Sequence, residues 1–196
     1  MKPRFDNAYV LNVMAEDRPG IVAAVSRAVF DARGNIDSCS QTVLCGYFTL
    51  IMIVSFPQPP GEAEFLQALA RPGGRDSGFQ VVMRPFVAER PAPVAGDCDN
   101  FVVTCFGPDS PGVIHRFSAL LAEKGINIVD LYGQLSGGQF VLISQVQIPR
   151  QWDLAMLQAD LEHLGREQEY TVRLQHENVF IATNQLRLTR PEGAGP

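Results

Sequence analysis

Asp17-Arg18-Pro19-Gly20-Ile21 recurs 92 positions later as Asp109-Ser110-Pro111-Gly112-Val113. The same offset carries Asn35-Ile36 onto Asn127-Ile128, with no gap between the two motifs. Other residues that are identical at this offset are Gly46, Phe48, Leu50, Ile51 and Pro57. A repeat that stays in register over this length indicates one structural unit present twice. We therefore predict two homologous modules in a single chain of 196 residues.

Both copies show the same order of secondary structure. Apolar runs at Tyr9 to Ala15 and at Phe101 to Gly107 end just before the motif and are typical of buried strands. A helical apolar pattern follows, and we expect Gly34 and Gly125 to end these helices. Two strands that meet at a glycine turn, a second helix and a last strand complete each copy. The order β-α-β-β-α-β predicts an α+β protein made of two tandem ferredoxin-like sandwiches, each with four antiparallel strands and two helices on one face.

The domain boundaries follow from a proline-rich stretch between the copies. We place the first domain at residues 1–90, a semi-rigid linker at 91–99 and the second domain at 100–196. The second domain includes a C-terminal extension, in which 178–188 forms either a strand or a helix and the tail from Arg190 is frayed.

The strand Phe48 to Phe56 carries apolar residues on both faces. Ile51 and Ile53 alternate with Phe48, Leu50, Met52 and Val54, and Tyr47 precedes them. Because helices cover only one face of such a sandwich, the other face needs a cover of its own. We predict that another sheet packs on it, either within a compact pair of modules or in a homo-oligomer.

The composition is that of a packed globular protein with a modest negative charge. Hydrophobic residues make up 46% of the chain, charged residues make up 19%, and the net charge is −5. This charge does not favour a surface that neutralises nucleic-acid phosphates. No apolar run is long enough to span a bilayer, and residues 1–7 do not have the pattern of a secretion signal. We therefore expect a cytoplasmic protein without membrane contact.

The four cysteines, Cys39, Cys45, Cys98 and Cys105, include no Cys-x-x-Cys pair. We expect buried, reduced thiols and neither a metal site nor a disulfide. The sequence has no cofactor-binding motif either, so no cofactor is expected.

The motif Asp-x-Pro-Gly-aliphatic after the first strand, with an Asn-Ile pair opening the second, resembles the ACT domain family. The resemblance covers nearly the whole chain, twice, and the tandem arrangement is similar to that of the glycine cleavage system transcriptional repressors. It implies a regulatory protein that binds an amino acid, with glycine as a candidate. It also implies that the loop after the first strand and the start of the second strand line a ligand site at a domain interface. The site residues that it implies are Asp17, Pro19, Gly20, Ile21, Asn35 and Ile36 in the first copy, and Asp109, Pro111, Gly112, Val113, Asn127 and Ile128 in the second.

The chemistry of these residues suits an amino acid without reference to the family. Free N–H groups at the start of a helix attract a carboxylate. Glycine lets a ligand approach the backbone closely, and an asparagine side chain both donates and accepts hydrogen bonds. The alternatives are that Asp17 and Asp109 only cap their helices, and that Asn35 and Asn127 only end a helix in left-handed geometry. It also remains open whether one module binds the ligand while the other only supports it.

Other classes of function receive less support from the sequence. The three histidines are scattered, and no GxSxG, P-loop, GxGxxG or HExxH motif is present, so we do not expect an enzyme. RNA-recognition modules share this topology, but neither copy has their flanking basic residues, and we see no basic recognition helix for DNA. Regulation of transcription would therefore act through a protein partner. The alternative function is a structural interaction module without a ligand.

Overall fold

The computed structural model describes residues 2–70, 78–87 and 96–185. The chain divides into two compact units, Met1–Arg90 and Pro91–Pro196, which we call the first and the second module. Residues 91–95 of the predicted linker lie outside the described residues, as does the C-terminal tail from 186 onward. Cys98 and Asp99, the last two residues of the predicted linker, belong to the first strand of the second module.

The first module has six elements around one antiparallel sheet. The elements are β1 (Asn7–Glu16), α1 (Ile21–Asp31), β2 (Asn35–Leu44), β3 (Tyr47–Phe56), α2 (Glu62–Ala70) and β4 (Gln80–Pro85). The strand order is β2-β3-β1-β4, and each neighbouring pair is antiparallel. Over most of β1 and β3, alternate residues are buried under the two amphipathic helices, and the residues between them face the other side of the sheet.

The second module repeats this architecture and adds one helix. Its elements are β5 (Cys98–Pro108), α3 (Val113–Glu123), β6 (Asn127–Ser136), β7 (Gln139–Pro149), α4 (Leu154–Glu167), β8 (Thr171–His176) and α5 (Glu177–Gln185). The strand order β6-β7-β5-β8 corresponds to that of the first module. A β-bulge interrupts β2 between Ile36 and Ser38, and the equivalent bulge interrupts β6 between Ile128 and Asp130. The prediction of two βαββαβ units with equivalent motif loops is confirmed.

The ends of the first helices differ in part from the prediction. Gly125 adopts the left-handed conformation after α3, with φ +67°, but its counterpart in the first module is Arg33, with φ +60°. Gly34 is required for another reason, because a Cβ atom there would lie 2.5 Å from the Phe56 ring. The prediction that Gly34 ends α1 by its backbone conformation is therefore wrong by one residue.

Each module has its own hydrophobic core between its sheet and its two helices. The core of the first module is centred on Val13, Val25 and Phe56, and that of the second on Cys105, Leu121 and Leu161. The buried clusters do not share a residue.

The outer faces of the two sheets, on the side away from the paired helices, are covered differently. In the first module, Ile51 on this face is 47% exposed and Val82 is 52% exposed. In the second module, α5 packs against β5 and β8, and its Glu177 carboxylate accepts hydrogen bonds from Asn100 Nδ2 at 3.1 Å and Gln145 Nε2 at 2.6 Å. The C-terminal extension is thus a helix through Gln185, and the cover expected over Ile51 stays a prediction.

The cysteines differ from the expectation of buried thiols. Cys105 is buried, but Cys39 and Cys45 are exposed, because they lie on the edge strand β2 and in the turn that follows it. Burial raises the pKa of Cys105 to about 12. Within the described residues, no cluster of His, Cys, Asp or Glu has the geometry of a metal site. None of the described helices has the length and apolar character needed to cross a membrane.

Candidate functional site

The Asp-Pro-Gly loops, residues 17–20 and 109–112, connect the first strand of each module to its first helix. Gly20 is the N-cap of α1 with φ +96°, and Gly112 is the N-cap of α3 with φ +88°. This conformation is strained for any residue with a Cβ atom, so the backbone itself requires glycine. A Cβ atom at either position would meet no atom within 4 Å. The space above both glycines is therefore open to a ligand.

The aspartates of the loops do not cap the helices. The N-caps of α1 and α3 are Gly20 and Gly112, and no side chain accepts a hydrogen bond from the backbone there, so the capping interpretation of Asp17 and Asp109 is wrong. Both aspartates are exposed, and the backbone N–H of Asp17 donates to the Gly46 carbonyl at 2.7 Å. Pro19 and Pro111 are exposed in the same loops. The loops thus present carboxylates that are available for a ligand.

The asparagines open the second strands rather than end the first helices. Asn35 is the first residue of β2 and Asn127 is the first residue of β6, so the left-handed interpretation is wrong for both. Asn35 Nδ2 donates to Asp37 Oδ1 at 2.8 Å, and Asn127 Nδ2 donates to Gln147 Oε1 at 3.4 Å. Both side chains are half-buried.

The aliphatic residues of the motifs belong to the cores. Ile21 and Val113 are the first residues of their helices and are almost fully buried. Ile36 and Ile128 pack against the core of their own module. Ile21 and Val113 therefore anchor the loops, whereas Ile36 is only partly buried and lines a surface groove together with Asn35.

The two parts of the predicted site lie at opposite ends of each module. In the first module, Glu16 pairs with Tyr47 just before the loop, whereas Asn35 pairs with Ser55. Eight residues of β3 separate these two positions, which corresponds to about 26 Å at a rise of about 3.3 Å per residue. A single module therefore does not bring Gly20 and Asn35 together, and the same register separates Gly112 from Asn127.

Asp37 is a further polar residue near the predicted site, and it was not identified from the sequence. It occupies the bulge of β2, and its Oδ1 accepts hydrogen bonds from the Arg4 backbone N–H at 2.9 Å and from Asn35. Burial alone raises the pKa of Asp37, but hydrogen bonds from Ser55, Arg4 and Asn35 and the Arg4 charge outweigh burial, so this pKa lies below its usual range. The counterpart of Asp37 in the second module is Val129.

We expect Asp37→Asn to lower the free energy of unfolding of the first module by about 1–2 kcal/mol at pH 7, because charge-assisted hydrogen bonds are lost. Because the pKa of Asp37 is lowered by folding, its contribution is complete above the unfolded value of about 3.9 and disappears as the pH falls through the folded value. Urea denaturation of both proteins at pH 7 and at pH 3 measures the difference. Asp6→Asn, at an exposed carboxylate nearby, is the control. If the free energies of unfolding of wild type and Asp37→Asn differ by the same amount at both pH values, the lowered pKa of Asp37 is contradicted.

The Asp-Pro-Gly loops are supported differently in the two modules. In the second module, the Tyr170 hydroxyl donates to the Pro108 carbonyl, and burial raises the pKa of Tyr170. In the first module, the Arg18 guanidinium lies 5.3 Å from the centre of the Phe79 ring. The supporting aromatic residue stands at or just before the start of the last strand in both modules, where the sequence offers no motif that distinguishes it.

Comparison with known proteins bears on both modules. The ACT domain family model matches residues 8–84 and again residues 99–175, once in each module. The chain belongs to the ACT domain family. The two matches cover β1 to β4 and β5 to β8, and they include all twelve predicted site residues.

Relatives of the chain include single-module and tandem proteins. A UPF0237 protein from Methanococcus maripaludis is 35% identical over 83 residues, which are 42% of this chain and 92% of that protein. The crystal structure of an unknown protein from Galdieria sulphuraria covers 87% of this chain and 98% of its own, with 27% identity and a TM-score of 0.69. A protein proposed to be a glycine cleavage system transcriptional repressor shares the fold over 86% of this chain and 96% of its own, with 22% identity and a TM-score of 0.60.

Proposed function

We propose that this ACT protein is a cytoplasmic regulator that binds an amino acid and carries out no catalysis itself. Glycine is the candidate ligand, and the signal passes to a protein partner that controls transcription. The fold relationship to the protein proposed as a glycine cleavage system repressor supports this choice of ligand and output. The observation that carries the proposal is the open, uncapped start of α1 and α3.

The start of α1 offers hydrogen-bond donors to a carboxylate. The first backbone bond of the helix runs from the Ala24 N–H to the Gly20 carbonyl at 2.9 Å, and the equivalent bond in α3 runs from Arg116 to Gly112 at 3.0 Å. The preceding N–H groups have no partner within the helix, and no side chain caps them. These donors and the positive end of the helix dipole favour an anionic group. The nearby Asp17 carboxylate suits the ammonium group of the same ligand.

The separation between Gly20 and Asn35 is removed when two copies of the chain pair through β2. This strand is ten residues long, lies at the edge of its sheet and contains no Lys, Arg or Pro that would oppose pairing. Antiparallel pairing with full overlap brings Asn35 of one copy beside the Cys45-Gly46 turn of the other. Because Gly46 is bonded to Asp17, the Asp-Pro-Gly loop of the second copy lies next to this position. A homo-oligomer of this kind assembles the site from two copies.

We expect at least one amino acid to bind the purified full chain with a dissociation constant between micromolar and millimolar, about −4 to −8 kcal/mol. A thermal-shift screen of the twenty amino acids identifies the ligand, and calorimetry measures its affinity. Asn35→Ala and Asn127→Ala should each weaken binding by about 1–3 kcal/mol where the residue contacts the ligand. Gly20→Ala is a poorer test than these, since the φ of +96° at Gly20 makes the substitution costly for folding as well.

The matched control is Asn12→Ala, which removes an asparagine from the outer face of β1, where Asn12 Oδ1 accepts from Thr49. Its affinity for the ligand should equal that of the wild type. If no amino acid produces heat or stabilisation, the ligand-free interaction module is the correct function. Binding that is unchanged in both Asn35→Ala and Asn127→Ala would locate the ligand elsewhere.

A further inference from the structure

A cleft of about 750 Å³ opens between α1 and α2 of the first module, and we call it the helix cleft. Small side chains and prolines form most of its walls. The lining residues include Ala28, Ala32, Pro60, Phe65 and Ala68. None of the predicted amino-acid site residues lines it.

In the second module, a tryptophan fills the equivalent place. The Trp152 indole N–H donates to the Lys124 carbonyl at 2.9 Å. The Lys124 ammonium lies 4.9 Å from the centre of the indole ring, and it is held by the Asp160 carboxylate at 2.6 Å. The ring is partly buried against the core of the module. In the second module, an indole ring therefore occupies the position between the two helices.

The two positions correspond in the start of the second helix and in the backbone hydrogen bonds around them. α2 begins at Glu62 and α4 at Leu154, which differ by the repeat offset of 92 residues. The Phe65 N–H bonds to the Gly61 carbonyl as the Leu157 N–H bonds to the Asp153 carbonyl. The turn that ends α1 at Ala32 has the same hydrogen bond as the turn that ends α3 at Lys124.

The side chains that fill the space in the second module are absent from the first. Pro60 stands in the place of Trp152, Ala32 in that of Lys124, and Ala68 in that of Asp160. Ala28 likewise replaces Leu120, which packs against the core of the second module. Among the described residues, no side chain donates to the Ala32 carbonyl, the counterpart of the carbonyl that receives the indole N–H. A groove remains farther along α3 and α4, but its lining does not include Trp152.

We propose that the helix cleft is a binding site for a small planar aromatic molecule with a ring N–H, of the indole class. Its N–H donates to the Ala32 carbonyl, and its ring lies against Ala28, Pro60 and Phe65. The volume falls in the range of about 300–1,000 Å³ that small-molecule sites occupy. Four charged residues also line the cleft. Arg27 and Asp31 are paired with each other at 2.8 Å, and Arg33 and Glu64 are the other two. This site is separate from the amino-acid site proposed above.

The test is a titration of the full chain with 5-fluoroindole, followed by fluorine NMR. Ala28→Leu introduces the larger residue of the second module, and Pro60→Trp introduces its indole. Both should weaken binding at least tenfold. Ala23→Leu makes the same change on the exposed side of α1, outside the cleft, and should bind within twofold of the wild type. Thermal unfolding identifies any variant that does not fold. If only one of Ala28→Leu and Pro60→Trp folds, that variant alone tests the proposal.

The hydrogen bond has its own measurement. Methylation of the ring nitrogen of 5-fluoroindole removes the donor and should weaken binding about three- to tenfold. One molecule should bind per chain, because Trp152 occupies the second position. The proposal is overturned if 5-fluoroindole does not bind the wild type, or if Ala28→Leu and Pro60→Trp bind it equally well. Binding of the tripeptide Gly-Trp-Gly without binding of 5-fluoroindole would overturn it in favour of a protein segment as the occupant.

Discussion

Replacing Tyr170 by Ala is expected to lower the free energy of unfolding of the second module by about 3–5 kcal/mol. Tyr170 is only 4% exposed, and its ring makes an edge contact with Phe117 at 6.2 Å between centroids. Its hydroxyl also holds the Pro108 carbonyl just before the Asp-Pro-Gly loop. The substitution therefore leaves a cavity in the core and frees the loop at the same time. Any ligand bound at Gly112 should be weakened together with stability.

Urea denaturation followed by the fluorescence of Trp152 measures this effect, because Trp152 is the only tryptophan and lies in the second module. Tyr170→Phe keeps the ring and loses the hydroxyl, so it should cost only about 1 kcal/mol. Tyr132→Ala makes the same change at a tyrosine that is 50% exposed and serves as the control. A loss below about 1 kcal/mol in Tyr170→Ala would mean that the ring does not support the core.

Replacing Phe56 by Ala is expected to have an effect of similar size, about 3–5 kcal/mol, confined to the first module. Phe56 is fully buried between the edges of Tyr9 and Phe65, with ring centroids at 6.0 and 5.5 Å. It also packs directly over Gly34, where a Cβ atom would clash with its ring. Removal of the Phe56 ring should therefore also destabilise the turn that leads into Asn35.

Because the two cores share no residue, Phe56→Ala should shift the denaturation seen by circular dichroism and leave the Trp152 transition nearly unchanged. Phe30→Ala is the control, since Phe30 is 71% exposed and its loss should change stability by less than about 0.5 kcal/mol. An equal shift of both signals in Phe56→Ala would show that the two modules unfold as one unit.

The fold was predictable because its determinants are local and occur twice. The Asp-x-Pro-Gly motif marks a sharp turn between a strand and a helix, and Gly20 and Gly112 adopt the positive φ that such a turn requires. Over most of β1 and β3, buried positions alternate with less buried ones, because successive side chains of a strand point to opposite faces of the sheet. Neither inference depends on contacts between residues that are distant in sequence.

The candidate site was less predictable because its parts are close in sequence and distant in space. Asp17 and Asn35 are separated mainly by α1, and a helix of eleven residues carries the chain from one end of the sheet to the other. The bulge that turns Asp37 toward Asn35 has no sequence signature, and Val129 occupies the same bulge in the second module. The helix cleft becomes visible only when Pro60 and Ala32 are compared with Trp152 and Lys124 in three dimensions.

The helix α5 covers part of the outer face of the second sheet, and this bears on how copies of the chain can stack. A tandem protein with two open sheet faces has two adhesive surfaces and can grow end to end into a polymer. Glu177 holds α5 over Asn100 and Gln145 of one such face, whereas Ile51 on the outer face of the first sheet is 47% exposed. We therefore expect face-to-face stacking to be favoured around Ile51 and opposed under α5, which disfavours open-ended growth.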